Sequence, residues 1–300
     1  MPFRNAGTTS RSVGAAVAAL VFSVGLVMTS TSSAMAINSY NATPAPERTE
    51  VGALIVRWDD DADPATPDRV DWECSGTMVD GDTFLTAGHC TTDWPAGVRF
   101  YVSLDQDVQA ALDSAAAAHP GDPIAVSTAV GVEGLAHTDP AYPGPSADPH
   151  DIAVIQLPAA AVAARWTFTP ATLPGAGELG ALGPQQLDAT PFTVVGYGTQ
   201  EARRGPGGQT HPGGGVRMKA PVGFNALNPS WVRLAMTAPQ GNGGACYGDS
   251  GGPNFAVLDG APVLAATTIT GDSPCYATNV AYRLDSPAAR SFLAPFVALP

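Results

Sequence analysis

Hydrophobic residues in this chain fall mainly in short runs of five to eight positions, separated by glycine, proline and aspartate. Runs of this length with turn-forming residues between them are typical of strands in a β-sandwich or β-barrel. The clearest runs lie at 51–58, 100–104, 152–157, 192–196, 231–236, 263–269 and 280–284. The pattern therefore predicts an all-β fold over residues 51–300.

Helical signals are few. Ser286 followed by proline is a favourable helix start. Phe292 and Phe296 then form an apolar pair four residues apart, which places both on one face of a helix. The sequence predicts a C-terminal helix there, and alanine-rich stretches at 110–118 and 159–165 favour two short helices.

The N-terminus has the pattern of a secretory signal peptide. Arg4 and Arg11 precede an apolar run at 13–27, and the A-x-A sequence at 34–36 fits a cleavage site. A membrane anchor is the alternative, but the apolar run is too short to cross a bilayer. We expect residues 1–36 to be removed on export.

Residues that follow the predicted leader divide into two parts. The mature chain would begin near Ile37, and the polar, proline-containing segment 37–50 predicts a flexible lead-in. Residues 51–300 form the predicted folded domain. Its proline-rich insertions show no change in composition and are interpreted as surface loops rather than as linkers between domains.

The net negative charge of the chain limits the classes of partner that it is expected to bind. The chain has 14 Lys and Arg against 27 Asp and Glu, a net charge of −13 at pH 7. Nucleic acids and anionic membranes bind clustered basic residues, so we expect neither as a partner once the leader is removed.

The acidic stretch 59–63 could hold calcium, but a solvated hairpin loop is the favoured interpretation because no EF-hand spacing follows. We expect a monomer with no metal and no organic cofactor.

Four cysteines in an exported chain predict disulfides rather than a metal site. The spacings C-x-x-C and H-x-x-x-H, which zinc sites use, are missing from the sequence. From the sequence alone, three pairings of Cys74, Cys90, Cys246 and Cys275 remain open.

The stretch GNGGACYGDSGGP at 241–253 surrounds one serine, Ser250, with glycines. A serine that attacks a carbonyl carbon creates an oxyanion, which fixed backbone N–H groups stabilise best. Glycine permits close approach of the backbone to a substrate. The N–H groups of Gly248 and Ser250 are the candidate oxyanion donors.

A serine nucleophile also needs a base and a residue that orients the base. His89 stands at the end of FLTAGHC, and Asp151 stands at the start of an apolar strand in HDIAVIQL. An acid at that position can be buried against an imidazole. Along the chain the order is histidine, aspartate, serine.

The blocks LTAGHC, DIAVIQL and GDSGGP together resemble the three active-site blocks of the chymotrypsin-like, or trypsin-like, serine protease family. The segments CSGTMVDGDTFLTAGHC, HTDPAY and VVGYG are also similar to the family's pattern. The resemblance covers the chain from about Val51 to its end. In its alanine, glycine and proline content the chain is most similar to secreted members from actinomycete bacteria.

This resemblance implies two antiparallel six-stranded β-barrels with a C-terminal helix, and protein or peptide substrates. It implies that His89 is the general base and acid, that Asp151 orients it and that Ser250 is the nucleophile. The implied disulfides are Cys74–Cys90 and Cys246–Cys275. An esterase-like acyl hydrolase, or a binding protein that keeps the protease scaffold, are the alternative functions.

Substrate preference departs from the family's best-known pattern. Members that cut after arginine or lysine carry an aspartate six residues before the serine, and that position here is Gly244, followed by Ala245. With Gly271, these residues predict a pocket for apolar side chains, because a buried basic group would lack a counter-ion. Asp272, near the predicted pocket rim, is the competing source of negative charge.

The N-terminal region is a second departure from the family's pattern. Animal members are activated by cleavage before an Ile-Val-Gly-Gly sequence, and this chain has no good match to that sequence. In one interpretation, cleavage frees Val51, whose ammonium group then pairs with Asp249. In the favoured interpretation, the apolar run 51–58 is already the first strand, and the loop 59–68 leads into its hairpin partner at 69–79. Asp249 would then need a partner from within the barrel or backbone N–H donors, and the enzyme would be active without proteolytic trimming.

Overall fold

The computed structural model describes residues 37–63 and 66–300, and the predicted leader 1–36 lies outside them. The described strands close into two six-stranded antiparallel barrels, which confirms the predicted all-β architecture. The strands are β1 (Thr43–Pro44), β2 (Val51–Trp58), β3 (Arg69–Met78), β4 (Thr83–Thr86), β5 (Arg99–Ser103), β6 (Val132–Thr138), β7 (Ala153–Gln156), β8 (Phe192–Gly196), β9 (Arg203–Gly205), β10 (Gly208–Thr210), β11 (Met218–Leu227), β12 (Trp231–Ala235), β13 (Pro253–Leu258), β14 (Ala261–Gly271) and β15 (Thr278–Arg283).

Five short helices accompany the strands in the described residues. They are α1 (Val108–Ala118), α2 (Pro123–Val130), α3 (Ala159–Arg165), α4 (Glu178–Ala189) and α5 (Pro287–Leu293). The predicted helices correspond to α1, α3 and α5, and the Ser286 hydroxyl caps α5 by accepting the Ala289 N–H at 3.2 Å. Helices α2 and α4 have no counterpart in the sequence-based prediction. Over residues 37–63 and 66–300, every helix falls short of the length and apolar character needed to cross a bilayer.

The first barrel runs in the order β2–β3–β4–β7–β6–β5, and β5 pairs back with β2. The apolar run of β2 is unbroken because both faces of the strand are buried. Leu54 and Val56 point to the apolar core of the first barrel, whereas Val51, Ala53 and Ile55 join a cluster shared with the second barrel. The interpretation of 51–58 as the first strand, paired with β3, is confirmed.

The acidic loop between β2 and β3 is built from side-chain-to-backbone hydrogen bonds. Asp59 Oδ1 accepts the N–H of Ala62 at 2.7 Å and that of Asp61 at 3.2 Å. Asp61 in turn accepts the hydroxyl of Thr66 at 2.8 Å. Such bonds are those by which aspartate stabilises turns, in agreement with a hairpin connection.

In the second barrel the order is β8–β11–β12–β15–β14–β13, and β13 pairs back with β8. Alternate side chains of these strands fill its interior. Representative members are Phe192, Val194, Val222, Val232 and Leu234, all buried in one apolar cluster. The second barrel therefore has an apolar core of its own, in addition to the cluster that it shares with the first barrel.

Segment 37–50 is packed against the second barrel, and this corrects the expectation of a flexible lead-in. Ile37 and Asn38 are fully buried, and β1 pairs with the start of β11. Arg217, also buried, donates to the backbone carbonyl of Ala45 at 3.1 Å. The polarity of the segment suggested flexibility, but its partners come from positions about 170 residues further along the chain and leave no local signal.

Candidate active site

His89 lies in a single 3₁₀ turn, Gly88–Cys90, directly after β4. The disulfide Cys74–Cys90 ties this turn to β3, as the resemblance implied. Gly88 allows the chain to approach Asp151 closely, because an added Cβ would lie 3.3 Å from that carboxylate. The first barrel thus holds the histidine by a covalent link on one side and a close backbone contact on the other.

Asp151 makes three hydrogen-bond contacts with His89. Its Oδ2 lies 2.9 Å and its Oδ1 3.1 Å from His89 Nδ1, and Oδ1 also accepts the backbone N–H of His89 at 2.8 Å. Asp151 is only 7% exposed. The carboxylate therefore fixes the orientation of the ring and favours the tautomer with a proton on Nδ1, which leaves Nε2 free to accept one.

His150 positions the backbone just before Asp151. Its φ of 51° turns the chain, and its Nδ1 lies 2.9 Å from Asp139 Oδ2. His150 is a half-buried residue that anchors the turn. A positive φ at a residue other than glycine is uncommon and leaves no reliable sequence signal.

Ser250 lies in a tight turn of the second barrel. Gly248 has a φ of 90°, and a Cβ there would lie 2.4 Å from Trp72. From the first barrel, Ser75 reaches across to this turn. Its hydroxyl donates to Gly248 O at 2.9 Å, and its N–H donates to Ser250 O at 2.8 Å. Sequence reasoning missed Ser75, because nothing near position 75 indicates a contact 175 residues away.

The turn leaves two backbone donors free. Asp249 N donates to Cys246 O at 3.1 Å, but among the described residues no carbonyl accepts the N–H of Gly248 or of Ser250. These are the two groups that the sequence predicts for the oxyanion hole. Their availability is what such a site requires, since the donors have to bind an atom of the substrate.

His89 and Ser250 both line one cavity of about 330 Å³ between the barrels. Among the described residues, the hydrogen bonds of His89 go to Asp151 and none joins its ring to the Ser250 hydroxyl. Hydrogen bonds between catalytic groups are often long before substrate binds, and they tighten during the reaction. The geometry brings the three predicted residues to one site.

The predicted pocket residues divide into two groups. Ala245, Gly271 and Asp272 line the cavity, whereas Gly244 does not. A Cβ at Gly244 would lie 2.0 Å from the sulfur of Met236, so this glycine packs against the barrel interior instead. Gly244 therefore does not form the pocket floor, contrary to the expectation from the sequence.

The carboxylate of Asp272 is hydrogen-bonded to the backbone of its own loop. Its carboxylate accepts the N–H groups of Tyr276 and Ala277, each at 2.9 Å, and that of Thr278. The Cys246–Cys275 disulfide, which the resemblance implied, closes the same loop. Asp272 thus shapes the pocket wall, with its charge directed largely to backbone donors.

Asn279 is a pocket residue that the sequence analysis did not identify. It is 1% exposed, lines the cavity and donates from Nδ2 to Asn254 Oδ1 at 2.8 Å. Asn254 in turn donates to Thr268 Oγ1 at 3.0 Å. In the part of the chain that the structure describes, Asn279 Oδ1 has no hydrogen-bond partner.

Asp249 is fully buried behind the serine turn. Its Oδ1 accepts the N–H of Gly198 and its Oδ2 that of Cys246, both at 2.8 Å. The expectation of backbone donors is confirmed. Burial raises the pKa of Asp249 to about 7, although the two N–H groups act in the opposite direction.

Two barrels of six strands, with a histidine–aspartate pair on one and a glycine-flanked serine on the other, define the class of chymotrypsin-like serine proteases. A family model described as trypsin matches residues 66–282, and the chain belongs to that family. A search of curated proteins finds no match. Residues 37–63 lie outside the matched region.

Proposed function

We propose that the protein is a secreted serine endopeptidase that hydrolyses peptide bonds through an acyl-enzyme intermediate. The observation that carries the proposal is the two-oxygen contact of Asp151 with His89 Nδ1, at 2.9 and 3.1 Å, beside the cavity that Ser250 lines. A histidine held in this way is a general base for a neighbouring hydroxyl.

The reaction proceeds in two halves. Ser250 Oγ attacks the carbonyl carbon of the substrate while its proton passes to His89 Nε2. The resulting oxyanion accepts the N–H groups of Gly248 and Ser250, and the C–N bond then breaks as His89 protonates the leaving amine. In the second half, His89 takes a proton from water, which attacks the acyl carbonyl carbon. The bond between that carbon and Ser250 Oγ then breaks as His89 returns the proton to Oγ, which releases the acid and regenerates the serine.

The pocket favours an uncharged side chain at the residue before the cut. Ala245 contributes an apolar wall, and Asn279 and Thr268 contribute uncharged polar groups. The carboxylate of Asp272 is taken up by backbone N–H groups. A buried lysine or arginine would therefore lack a dedicated counter-ion, whereas an apolar or amide side chain would fit without that cost.

Export is supported by two independent features. The first 36 residues have the charge, apolar run and A-x-A pattern of a leader. Both disulfides are formed, as is usual for proteins that fold in an oxidising compartment.

Labelling with a fluorophosphonate, followed by digestion of a denatured protein mixture and sequencing of the cut sites, tests the proposal. We expect label on Ser250 and loss of label in Ser250→Ala and His89→Ala, with Ser114→Ala, on the exposed face of α1, as the matched control. A binding protein on this scaffold would leave Ser250 unlabelled. An esterase-like hydrolase would label without cutting the mixture.

A further inference from the structure

Asn279 is a buried residue of the cavity with an unused hydrogen-bond acceptor. It is 1% exposed and lines the same cavity as Ser250. Its Nδ2 donates to Asn254 Oδ1 at 2.8 Å, whereas among the described residues no group donates to its own Oδ1. Most buried polar groups in folded proteins are hydrogen-bonded, and an unpaired one is costly. A ligand that donates to Oδ1 would remove that cost.

Thr268 contributes a complementary group to the same cavity. It is 4% exposed, and its Oγ1 accepts Asn254 Nδ2 at 3.0 Å. A hydroxyl is both a donor and an acceptor, so this bond leaves the hydrogen of Thr268 available to donate. The cavity wall therefore carries one acceptor, Asn279 Oδ1, and one donor, the hydroxyl of Thr268.

Three adjacent strands of the second barrel hold these side chains. Asn254 lies on β13, Thr268 on β14 and Asn279 on β15, and β14 pairs with both of its neighbours. Side chains on paired strands are held more rigidly than side chains on loops. The donor and the acceptor are therefore fixed in place before any substrate binds.

This pair of groups matches a side-chain carboxamide. The carboxamide nitrogen donates and its carbonyl oxygen accepts, and glutamine and asparagine both end in this group. The nitrogen would donate to Asn279 Oδ1, and the oxygen would accept the hydroxyl of Thr268. Both unused groups of the wall would then be paired.

We propose that Asn279 and Thr268 select glutamine or asparagine at the residue before the cut. This inference rests on the proposed endopeptidase function and narrows its preference from uncharged side chains to carboxamides. The methylene groups of the substrate side chain pack against the apolar wall at Ala245, which also lines the cavity. Ser250 attacks the carbonyl carbon of the residue whose side chain is held in this way.

The selectivity persists when the two asparagine amides turn over together. Asn254 Nδ2 then donates to Asn279 Oδ1, and the hydroxyl of Thr268 donates to Asn254 Oδ1. The cavity wall then carries Asn279 Nδ2 as the donor and a lone pair of Thr268 Oγ1 as the acceptor. A carboxamide satisfies this arrangement too, because rotation of its end group by half a turn exchanges its own donor and acceptor.

Other side chains leave at least one of these groups unpaired. A carboxylate only accepts and an ammonium group only donates, so each of them meets one matching and one opposing group in either arrangement. An apolar side chain pairs with neither group. A site built for hydrogen bonds rejects analogues without the matching group far more strongly than an apolar pocket rejects a change of size.

Peptides of one sequence that differ only at the residue before the cut test the proposal. One set carries glutamine, glutamate, methionine or lysine there, and a shorter set carries asparagine, aspartate or leucine. For at least one of the two carboxamides, we expect kcat/KM to exceed that of its matched carboxylate and apolar peptides by about tenfold or more. Asn279→Ala and Thr268→Val should each lower that ratio by about fivefold or more.

Thr267→Val is the matched control, because it makes the same change at the neighbouring position of β14. Successive residues of a strand point to opposite faces, and Thr267 does not line the cavity. Its hydroxyl is buried and has no hydrogen-bond partner among the described residues. Thr267→Val should keep the carboxamide preference, and fluorophosphonate labelling of each variant shows that its active site has folded.

Binding of the same peptides to the Ser250→Ala chain, measured by fluorescence anisotropy, gives a readout that does not depend on catalysis. Carboxamide peptides should bind more tightly than their matched peptides, and Asn279→Ala should remove the difference. Cleavage without a carboxamide preference, or with one that both Asn279→Ala and Thr268→Val leave intact, would overturn the inference while the protease function stands. Carboxamide-selective binding that depends on Asn279, with no label on Ser250 in the parent chain, would support the pocket and contradict the protease function.

Discussion

Asp249 makes the free energy of unfolding depend on pH in a direction that is unusual for a carboxylate. Its folded-state pKa is raised to about 7 from an ordinary value of 3.8 by burial. Between these two values the folded state binds a proton that the unfolded state has released, so stability falls as the pH rises. Each unit of difference corresponds to about 1.4 kcal/mol, so the contribution lost between pH 4 and pH 7 is about 4 kcal/mol.

Urea unfolding of the Ser250→Ala chain at pH 4, 5, 6 and 7 measures this contribution. The same series with Asp249→Asn is the reference, because every other titrating group is present in both chains. Relative to the parent, the Asp249→Asn chain should gain about 4 kcal/mol of unfolding free energy from pH 4 to pH 7. A relative change below about 1 kcal/mol would refute the argument, since it would mean that Asp249 titrates near its ordinary pKa.

Four substitutions test other parts of the site and fold. Asp151→Asn should lower kcat by about four orders of magnitude through the wrong histidine tautomer, measured on a peptide substrate with unchanged folding by circular dichroism. Gly248→Ala should lower kcat by about 10²- to 10³-fold, since a Cβ 2.4 Å from Trp72 displaces the oxyanion donors; an unchanged kcat would contradict the assignment. Asn279→Asp should shift cut sites towards lysine and arginine by about tenfold or more, and an unchanged cut-site profile would remove Asn279 from the pocket. Arg217→Met should cost about 3 kcal/mol or more in urea unfolding, because the buried carbonyls of Val51 and Leu104 and the hydroxyl of Tyr197 lose their donor.

Asn279→Asp is expected to fold because the neighbouring amides can adjust. Asn254 can rotate its amide so that its Nδ2 donates to the new carboxylate, and the hydroxyl of Thr268 can then donate to Asn254 Oδ1. Asn279→Ala is the matched control. It removes the side chain without adding charge, and it should leave the preference for uncharged residues in place.

Local patterns were sufficient for the features that depend on nearby residues. The apolar run of β2 predicted a strand, and the cap at Ser286 predicted α5. For the site, the resemblance of the blocks around positions 89, 151 and 250 to the family's active-site blocks implied which side chains lie together in the cleft. In the strand and in the helix the determining residues lie within a few positions of one another, so that hydrogen bonding, backbone freedom and side-chain periodicity can be read directly.

Contacts between distant parts of the chain were decided only by the tertiary structure. Ser75 holds the turn of Ser250, Asn279 forms part of the pocket, and the buried Ile37 donates to the carbonyl of Gly198. None of these pairs has a signature in its own neighbourhood, because a serine, an asparagine or an isoleucine is equally compatible with many surroundings. The sequence by itself determined the strands and the reactive groups, whereas closure of the two barrels decided which buried groups meet.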